Sequence, residues 1–358
     1  PPPAAGQLVD DRMLVGDPDF AADRFGSARE SARVFAALNG VLGDPVVLDR
    51  NDVNDDGGDI VLGRLESPRD KVFEAGDLAP FCRPKADLLI NAVHVHAWRT
   101  RAHGASLAWR WARTLNVPSA RVVADSTAML DRDVIGFRPD GVRPIPLMPI
   151  ALLSDSHGSN PGSWEHLVED GRGPDEYRFD HASGTVQPGP DGLHEMSAAF
   201  RDDRPPENAC LLKLGVTSWP QLLQQVHRGV TAEEMGGVPQ GQLVLDANDR
   251  LAVAVFPYPV GASSNLQLLS EELQRIQDKG EARVWPLYGE IDAATGEAIV
   301  NGLVAARILH VEDQGSGRFE LIVQPCMMSS ESAVTDASRR RPDRPAGNPY
   351  ICKIRIIE

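Results

Sequence analysis

The chain has 358 residues, of which 42% are hydrophobic and 24% charged, an ordinary composition for a folded globular protein of about two domains. A formal net charge of −15 argues against a nucleic-acid binder, because neutralising phosphates requires a basic surface. No run approaches the roughly 18 apolar residues of a membrane-spanning helix, and the 32 glycines and 28 prolines favour a turn-rich, strand-rich fold.

Residues 23–130 predict an α+β module, which follows an extended segment at 1–22. Apolar residues recur every three or four positions up to Leu38, and Asn39-Gly40 then ends the helix. Residues 87–98 alternate instead, with Val93 and Val95 on one face and His94 and His96 on the other. The predicted elements are helices at 22–38 and 106–115 and strands at 46–48, 60–62, 87–98 and 120–124.

Residues 131–358 predict a β-rich module, sandwich- or barrel-like, with short helices. A stretch rich in Gly, Pro, Asp and Ser at about 154–206 predicts a long irregular insertion. The remaining elements are predicted as helices at 219–228 and 266–278 and strands at 251–256, 283–288, 302–311, 318–325 and 350–357. The predicted fold class is therefore α+β.

Four cysteines lie far apart in the sequence, at Cys82, Cys210, Cys326 and Cys352. None has the spacing of a metal-binding motif. An even number of widely spaced cysteines suits one or two disulfides in an oxidising compartment. Cys326 with Cys352 is the first predicted pair, since both lie in or beside C-terminal strands, and Cys82 with Cys210 is the remainder. Four buried thiols are the alternative.

An acidic turn at residues 51–59 provides a candidate calcium site. Asp52, Asn54 and Asp56 alternate before Gly57, and Asp59 follows, as in loops where hard oxygen ligands converge on Ca²⁺. Gly63 stands where such loops carry a bidentate glutamate. A solvated turn, in which Asn and Asp bond their own backbone, explains the composition equally well.

His94 and His96 place two imidazoles on one strand face, and His103 follows shortly after. Such a pair can bind zinc, but no acidic or cysteine partner stands at ligand spacing, so we predict a polar strand face. The chain also lacks Gly-x-Ser-x-Gly, Ser-x-x-Lys and phosphate-binding loops in a suitable context. We therefore expect a protein that is not an enzyme.

Several short phrases occur in an order that resembles the putative Flp pilus-assembly TadE/TadG-like family, in its larger TadG-type form. One is Asp59-Ile60-Val61-Leu62-Gly63, and another is Asn208-Ala209-Cys210-Leu211-Leu212-Lys213-Leu214-Gly215. The others lie at 34–41, 87–95, 106–115, 120–128, 142–150, 222–229, 284–288, 300–308 and 322–325. Together the phrases cover most of residues 24–325.

The resemblance implies an exported component of a tight-adherence pilus, tethered to the membrane through a precursor segment and without catalytic residues. The chain departs from the family in two places. It opens Pro1-Pro2-Pro3, without the usual hydrophobic helix, and residues 8–23 are more acidic than the family's Ala-rich segment. Asp155-Ser156-His157-Gly158-Ser159 also differs from the Asp-x-Ser-x-Ser metal site of some relatives.

These features predict a non-enzymatic structural or accessory component of a pilus or another extracellular assembly. Its location would be the periplasm or the cell surface. Its partners would be proteins, including other copies of itself, and it would require no cofactor other than the calcium considered above. The alternatives are a calcium-dependent module that binds glycans or matrix, centred on Asp52, Asn54 and Asp56, and an unrecognised hydrolase.

Overall fold

The chain forms two compact units. A computed structural model describes residues 28–38, 45–65, 74–75, 91–99, 122–155, 160–180, 183–236, 238, 241–315, 317–339 and 347–357. The described residues from 28 to 131, together with 354–357, form the N-terminal unit, and those from 132 to 353 form the C-terminal unit. The C-terminal strand thus returns to the N-terminal unit, which the sequence did not predict.

The described residues contain four α-helices and eighteen strands. The helices are α1 (Ala28–Leu38), α2 (Trp219–Arg228), α3 (Ala232–Met235) and α4 (Ser263–Lys279), with a π-helix at Glu165–Glu169 and a 3-10 turn at Ala337–Arg339. The first nine strands are β1 (Ile60–Arg64), β2 (Glu74–Ala75), β3 (Ala92–Arg99), β4 (Val122–Asp131), β5 (Val134–Phe137), β6 (Ile150–Leu153), β7 (Tyr177–Asp180), β8 (Thr185–Pro188) and β9 (Met196–Phe200). The others are β10 (Ala209–Leu211), β11 (Leu243–Val244), β12 (Leu251–Ala254), β13 (Ala282–Asp292), β14 (Glu297–Gly315), β15 (Arg318–Pro325), β16 (Met328–Ser329), β17 (Ala333–Thr335) and β18 (Ile351–Ile357).

The N-terminal unit is built on five adjacent strands of a six-stranded sheet, in the order β18-β4-β3-β1-β2. β3 is antiparallel to both of its neighbours, β1 and β4. Strand β1 is buried from Ile60 to Leu62, in keeping with its β-branched and apolar residues. An asparagine holds the end of this strand. Asn91 donates to the carbonyl of Leu65 and accepts from its N–H, both at 2.9 Å.

The C-terminal unit is built on a seven-stranded sheet in the order β10-β6-β13-β14-β15-β9, with β12 also paired to β14. Helix α4 packs against β14 and buries Leu266, Leu269, Leu273 and Ile276, whose spacing of three or four residues places them on one face. The helix ends at Gly280, whose φ of 62° is the left-handed conformation that glycine adopts without strain.

The mixed, β-rich α+β class predicted from the sequence is confirmed, and it includes a curled sheet that forms a half-barrel. The predicted helix at 219–228 matches α2, and the one at 266–278 lies within α4. The prediction of an irregular insertion at 154–206 needs correction, because this stretch contains the π-helix and strands β7, β8 and β9. These strands have four or five residues each, too few for a clear periodic signal.

The predicted disulfide between Cys326 and Cys352 is not formed. Among the described residues, Cys210, Cys326 and Cys352 are thiols that form no disulfide. Cys82 is not among the described residues. The register of the parallel strands β16 and β18 explains this, because Cys352 lies opposite Ser329, three residues beyond Cys326. At about 3.3 Å per residue, that offset is roughly 10 Å, beyond the reach of a disulfide. Burial raises the pKa of the Cys210 thiol to about 12.

A buried carboxyl, Glu195, lies just before β9. Its Oε1 accepts hydrogen bonds from the backbone N–H groups of Glu176 at 3.1 Å and Tyr177 at 2.6 Å. Its Oε2 is buried and has no hydrogen-bond partner within the described chain. Desolvation raises the pKa of Glu195, the charges of Asp175 and Glu176 act in the same direction, and the two N–H groups oppose them.

Replacing Glu195 with glutamine should therefore change how stability depends on pH. A carboxyl whose folded-state pKa is raised costs stability as pH rises from the unfolded-state pKa of about 4.3 through the folded-state pKa. Glu195→Gln should gain stability relative to wild type over that window, by about 1.4 kcal/mol for each unit of pKa elevation. Urea unfolding at a series of pH values measures this. Glu207→Gln, at an exposed carboxylate, is the control, and an unchanged pH profile in Glu195→Gln would contradict the assignment.

Candidate functional site

Strands β3 and β4 bring a cluster of polar side chains together on one face of the N-terminal sheet. In their antiparallel register, His94 lies opposite Thr127 and His96 lies opposite Asp125. Residues two apart on a strand point to the same face, so all four side chains lie on one side of the sheet. We call His94, His96 and Asp125 the His-His-Asp cluster.

The cluster is held by short hydrogen bonds. Nδ1 of His96 lies 2.5 Å from Oδ1 of Asp125, and Nδ1 of His94 lies 2.6 Å from Oγ1 of Thr127. The two imidazoles meet edge to face, with ring centroids 4.1 Å apart. Each member of the cluster presents one potential ligand atom, and these three atoms lie within 4.8 Å of one another. No other group of three His, Cys, Asp or Glu side chains converges this closely among the described residues.

The cluster lies at the half-exposed end of this sheet face. The side chains of His96 and Asp125 are 22% and 51% exposed, whereas Thr127 is buried. The other end of the face is apolar and consists of Leu65, Ala92, Met129 and Ile357. Desolvation lowers the pKa of His94, and the charge of His96 lowers it further, against the opposing effect of Asp125. The His94 imidazole is therefore biased towards its neutral form.

The sequence correctly places His94 and His96 on one strand face, but it does not identify their partners. Asp125 lies 29 residues from His96, and only the strand register brings the two together. The predicted strand at 120–124 stopped just short of Asp125, whereas β4 continues to Asp131. The sequence signal for these partners is the alternation of β4, which continues through Asp125 and Thr127 and places both side chains on one face. His103 lies outside the described residues.

The acidic turn before β1 uses its asparagines as backbone partners. The side chain of Asn54 donates to the carbonyl of Leu62 at 2.9 Å and accepts from its N–H at 2.7 Å. The same Oδ1 accepts from Arg29 at 2.8 Å, and both Asn54 and Arg29 are buried. Asn51 likewise donates to the carbonyl oxygens of Asp55 and Ile60. Both asparagines have a φ near +55°, a left-handed conformation that asparagine tolerates better than most residues.

The carboxylates proposed as calcium ligands also have other roles or lie apart. Oδ2 of Asp59 accepts from the backbone N–H of Asp49 at 2.7 Å, and exposed Asp52 forms an ion pair with Arg50 at 3.0 Å. Asp52, Asp56 and Asp59 do not converge as a group of three ligands in the described part of the chain. Calcium binding by Asp52, Asn54, Asp56 and Asp59 stays a prediction, and the contacts of Asn54 and Asp59 favour the structural explanation of the turn.

The N-terminal unit also exposes much apolar surface. Twelve large hydrophobic side chains are exposed among the described residues, and eight of them belong to this smaller unit. The eight are Val34, Phe35, Leu38, Val47, Val53, Val123, Ile354 and Ile356. Ile354 and Ile356 share one face of β18, whereas Arg355 between them bonds to buried Asp131 at 2.8 Å.

Comparison with known proteins identifies no relative, since no family model, curated protein or solved structure matches this chain. The resemblance to the TadE/TadG-like family therefore rests on the sequence phrases alone. The described helices include none that is both long and apolar enough to cross a membrane.

Replacing Asn54 with alanine should destabilise the N-terminal unit strongly. The change leaves the buried N–H and C=O groups of Leu62 without their side-chain partner and places alanine at a left-handed φ. We expect the free energy of unfolding, measured with urea, to fall by about 2–4 kcal/mol. The loss should be the same in buffer with EDTA and in buffer with calcium.

Asp52→Ala is the matched control, because an exposed ion pair such as Asp52–Arg50 contributes about 0–1 kcal/mol. Calcium stabilisation of the wild type that disappears in Asp52→Ala would instead support a calcium site in this turn.

Proposed function

We propose that this chain is a non-enzymatic structural or accessory component of an exported surface assembly. Its sequence phrases, which resemble those of the TadE/TadG-like pilus-assembly family, support this proposal. So does the apolar surface of the N-terminal unit, which is the observation that carries it. The proposed location is the periplasm or the cell surface.

Exposed apolar surface favours association, because a partner removes it from water. Burying a side chain such as isoleucine is worth about 1.5–3 kcal/mol, so a unit that exposes many such side chains gains free energy by association. The N-terminal unit holds two thirds of the exposed large hydrophobic side chains among the described residues, although it has fewer described residues than the C-terminal unit. Ile354 and Ile356 are 57% and 73% exposed and present two neighbouring apolar side chains on one face of β18.

Among the described residues, neither the acidic turn nor a cleft gives these alternative functions a comparable observation. The calcium-dependent module would use Asn54, whose side chain bonds to Leu62 and Arg29 instead. A hydrolase would need a pocket with paired acid and base groups. A cleft of about 390 Å³ beside β9 includes one carboxylate in its lining, Glu207, which lies 3.6 Å from Arg204.

The first partner to test is a second copy of the chain. Sedimentation equilibrium over a wide range of concentrations should show self-association of the wild type. The double variant Ile354→Thr/Ile356→Thr keeps β-branched residues on β18 but removes most of their apolar surface. We expect it to raise the dissociation constant of the dimer about a hundredfold.

Val142→Thr/Val260→Thr is the matched control, because both valines are exposed in the C-terminal unit. It should leave association unchanged. A wild type that stays monomeric at all concentrations, or an equal effect of the two double variants, would contradict assembly through the N-terminal unit.

A further inference from the structure

We propose that His94, His96 and Asp125 bind a divalent transition-metal ion, and that Zn²⁺ is the ion their side chains suit best. This site is independent of the assembly proposal, since it depends on the register of β3 and β4 and not on any partner. It also differs from the calcium site considered in the acidic turn in its residues and in its ligand chemistry.

The spacing of the three side chains fits one ion after small adjustments. Ligand atoms on a tetrahedral zinc ion, with bonds of about 2.0–2.1 Å, are about 3.4 Å apart. The corresponding atoms of the His-His-Asp cluster lie within 4.8 Å of one another. The largest separation therefore needs to shrink by about 1.4 Å at most. The 2.5 Å hydrogen bond between Nδ1 of His96 and Oδ1 of Asp125 is replaced by coordination when both side chains bind the ion. Side-chain rotation can supply this shift, because His96 and Asp125 are partly exposed.

The backbone beneath the cluster is already fixed. His94 and His96 lie in the centre of β3, which pairs with β4 on one side and with β1 on the other. The N–H of His96 also donates to the carbonyl of Asp59 at 2.8 Å. A site on paired strands loses little conformational freedom when the ion binds, so most of the coordination energy is retained.

The ligand chemistry selects the class of ion. Two imidazoles with one carboxylate suit Zn²⁺, Co²⁺, Ni²⁺ and Cu²⁺, whereas Ca²⁺ and Mg²⁺ prefer all-oxygen sets. Three protein ligands leave the fourth tetrahedral position for water. Thr127 supports the arrangement from outside the ligand set, because its hydroxyl lies 2.6 Å from Nδ1 of His94 and fixes the orientation of that ring.

Zinc titration of the full chain without an affinity tag tests the site. Isothermal calorimetry should show one Zn²⁺ per wild-type chain and an upward shift in melting temperature. His94→Gln/His96→Gln should abolish both, and Asp125→Asn should weaken binding at least tenfold. His227→Gln is the matched control, because His227 pairs with Glu272 at 3.0 Å but forms no group of three ligands in the described chain.

A cobalt experiment tests whether position 125 provides a ligand. Asp125→Cys places a thiolate in the cluster, and a thiolate bound to Co²⁺ gives an intense near-ultraviolet charge-transfer band. Ser126→Cys places the same thiol one residue along β4, on the opposite sheet face, and should give no such band.

These experiments can overturn the proposal. Absence of zinc binding to the wild type would exclude the site, and so would unchanged binding in His94→Gln/His96→Gln. Equal bands from Asp125→Cys and Ser126→Cys would show that cobalt binds the introduced thiols and not the cluster. Circular dichroism of each variant confirms folding, and Asp125→Asn, at a half-exposed side chain, keeps the test valid if the double histidine variant fails to fold.

Discussion

The antiparallel register of β3 against β4 is the constraint on which the N-terminal unit depends. Pairing runs from Ala92 opposite Met129 to Arg99 opposite Val122, and it determines which side chains share a face. One face carries an apolar cluster that includes Ala92 and Met129 and, further along, the His-His-Asp cluster. A slip of one residue would move every side chain of one strand to the opposite face, so both features would be lost together.

Asparagine side chains hold the neighbouring strand β1 in place at two points. Asn54 bonds to both backbone groups of Leu62, and Asn91 bonds to both backbone groups of Leu65. Each side-chain amide thus makes the two hydrogen bonds that the backbone of a neighbouring strand would otherwise make. Asn54 also accepts from Arg29 of α1, which links that helix to the same turn. A composition typical of a calcium loop therefore serves a structural purpose here.

Local periodicity predicted much of the fold, whereas contacts between distant residues could not be predicted. The helices at 219–228 and 266–278 and the strand at 318–325 have clear patterns and are present. The short strands β7 to β9 carry too few residues for such a pattern. The pairing of Asp125 with His96 and the return of residues 354–357 to the N-terminal unit depend on long-range topology, which a single sequence does not encode as a local signal.

A metal ion in the His-His-Asp cluster would link β3 to β4 at the exposed end of their shared face, in the unit proposed to form contacts within an assembly. The most direct measurement is zinc K-edge X-ray absorption on the loaded chain. A zinc ion bound by the His-His-Asp cluster should give a shell of nitrogen and oxygen at about 2.0–2.1 Å with the multiple scattering of two imidazoles. A shell without imidazole scattering, or one that contains sulfur, would place the ion elsewhere and contradict metal binding by this cluster.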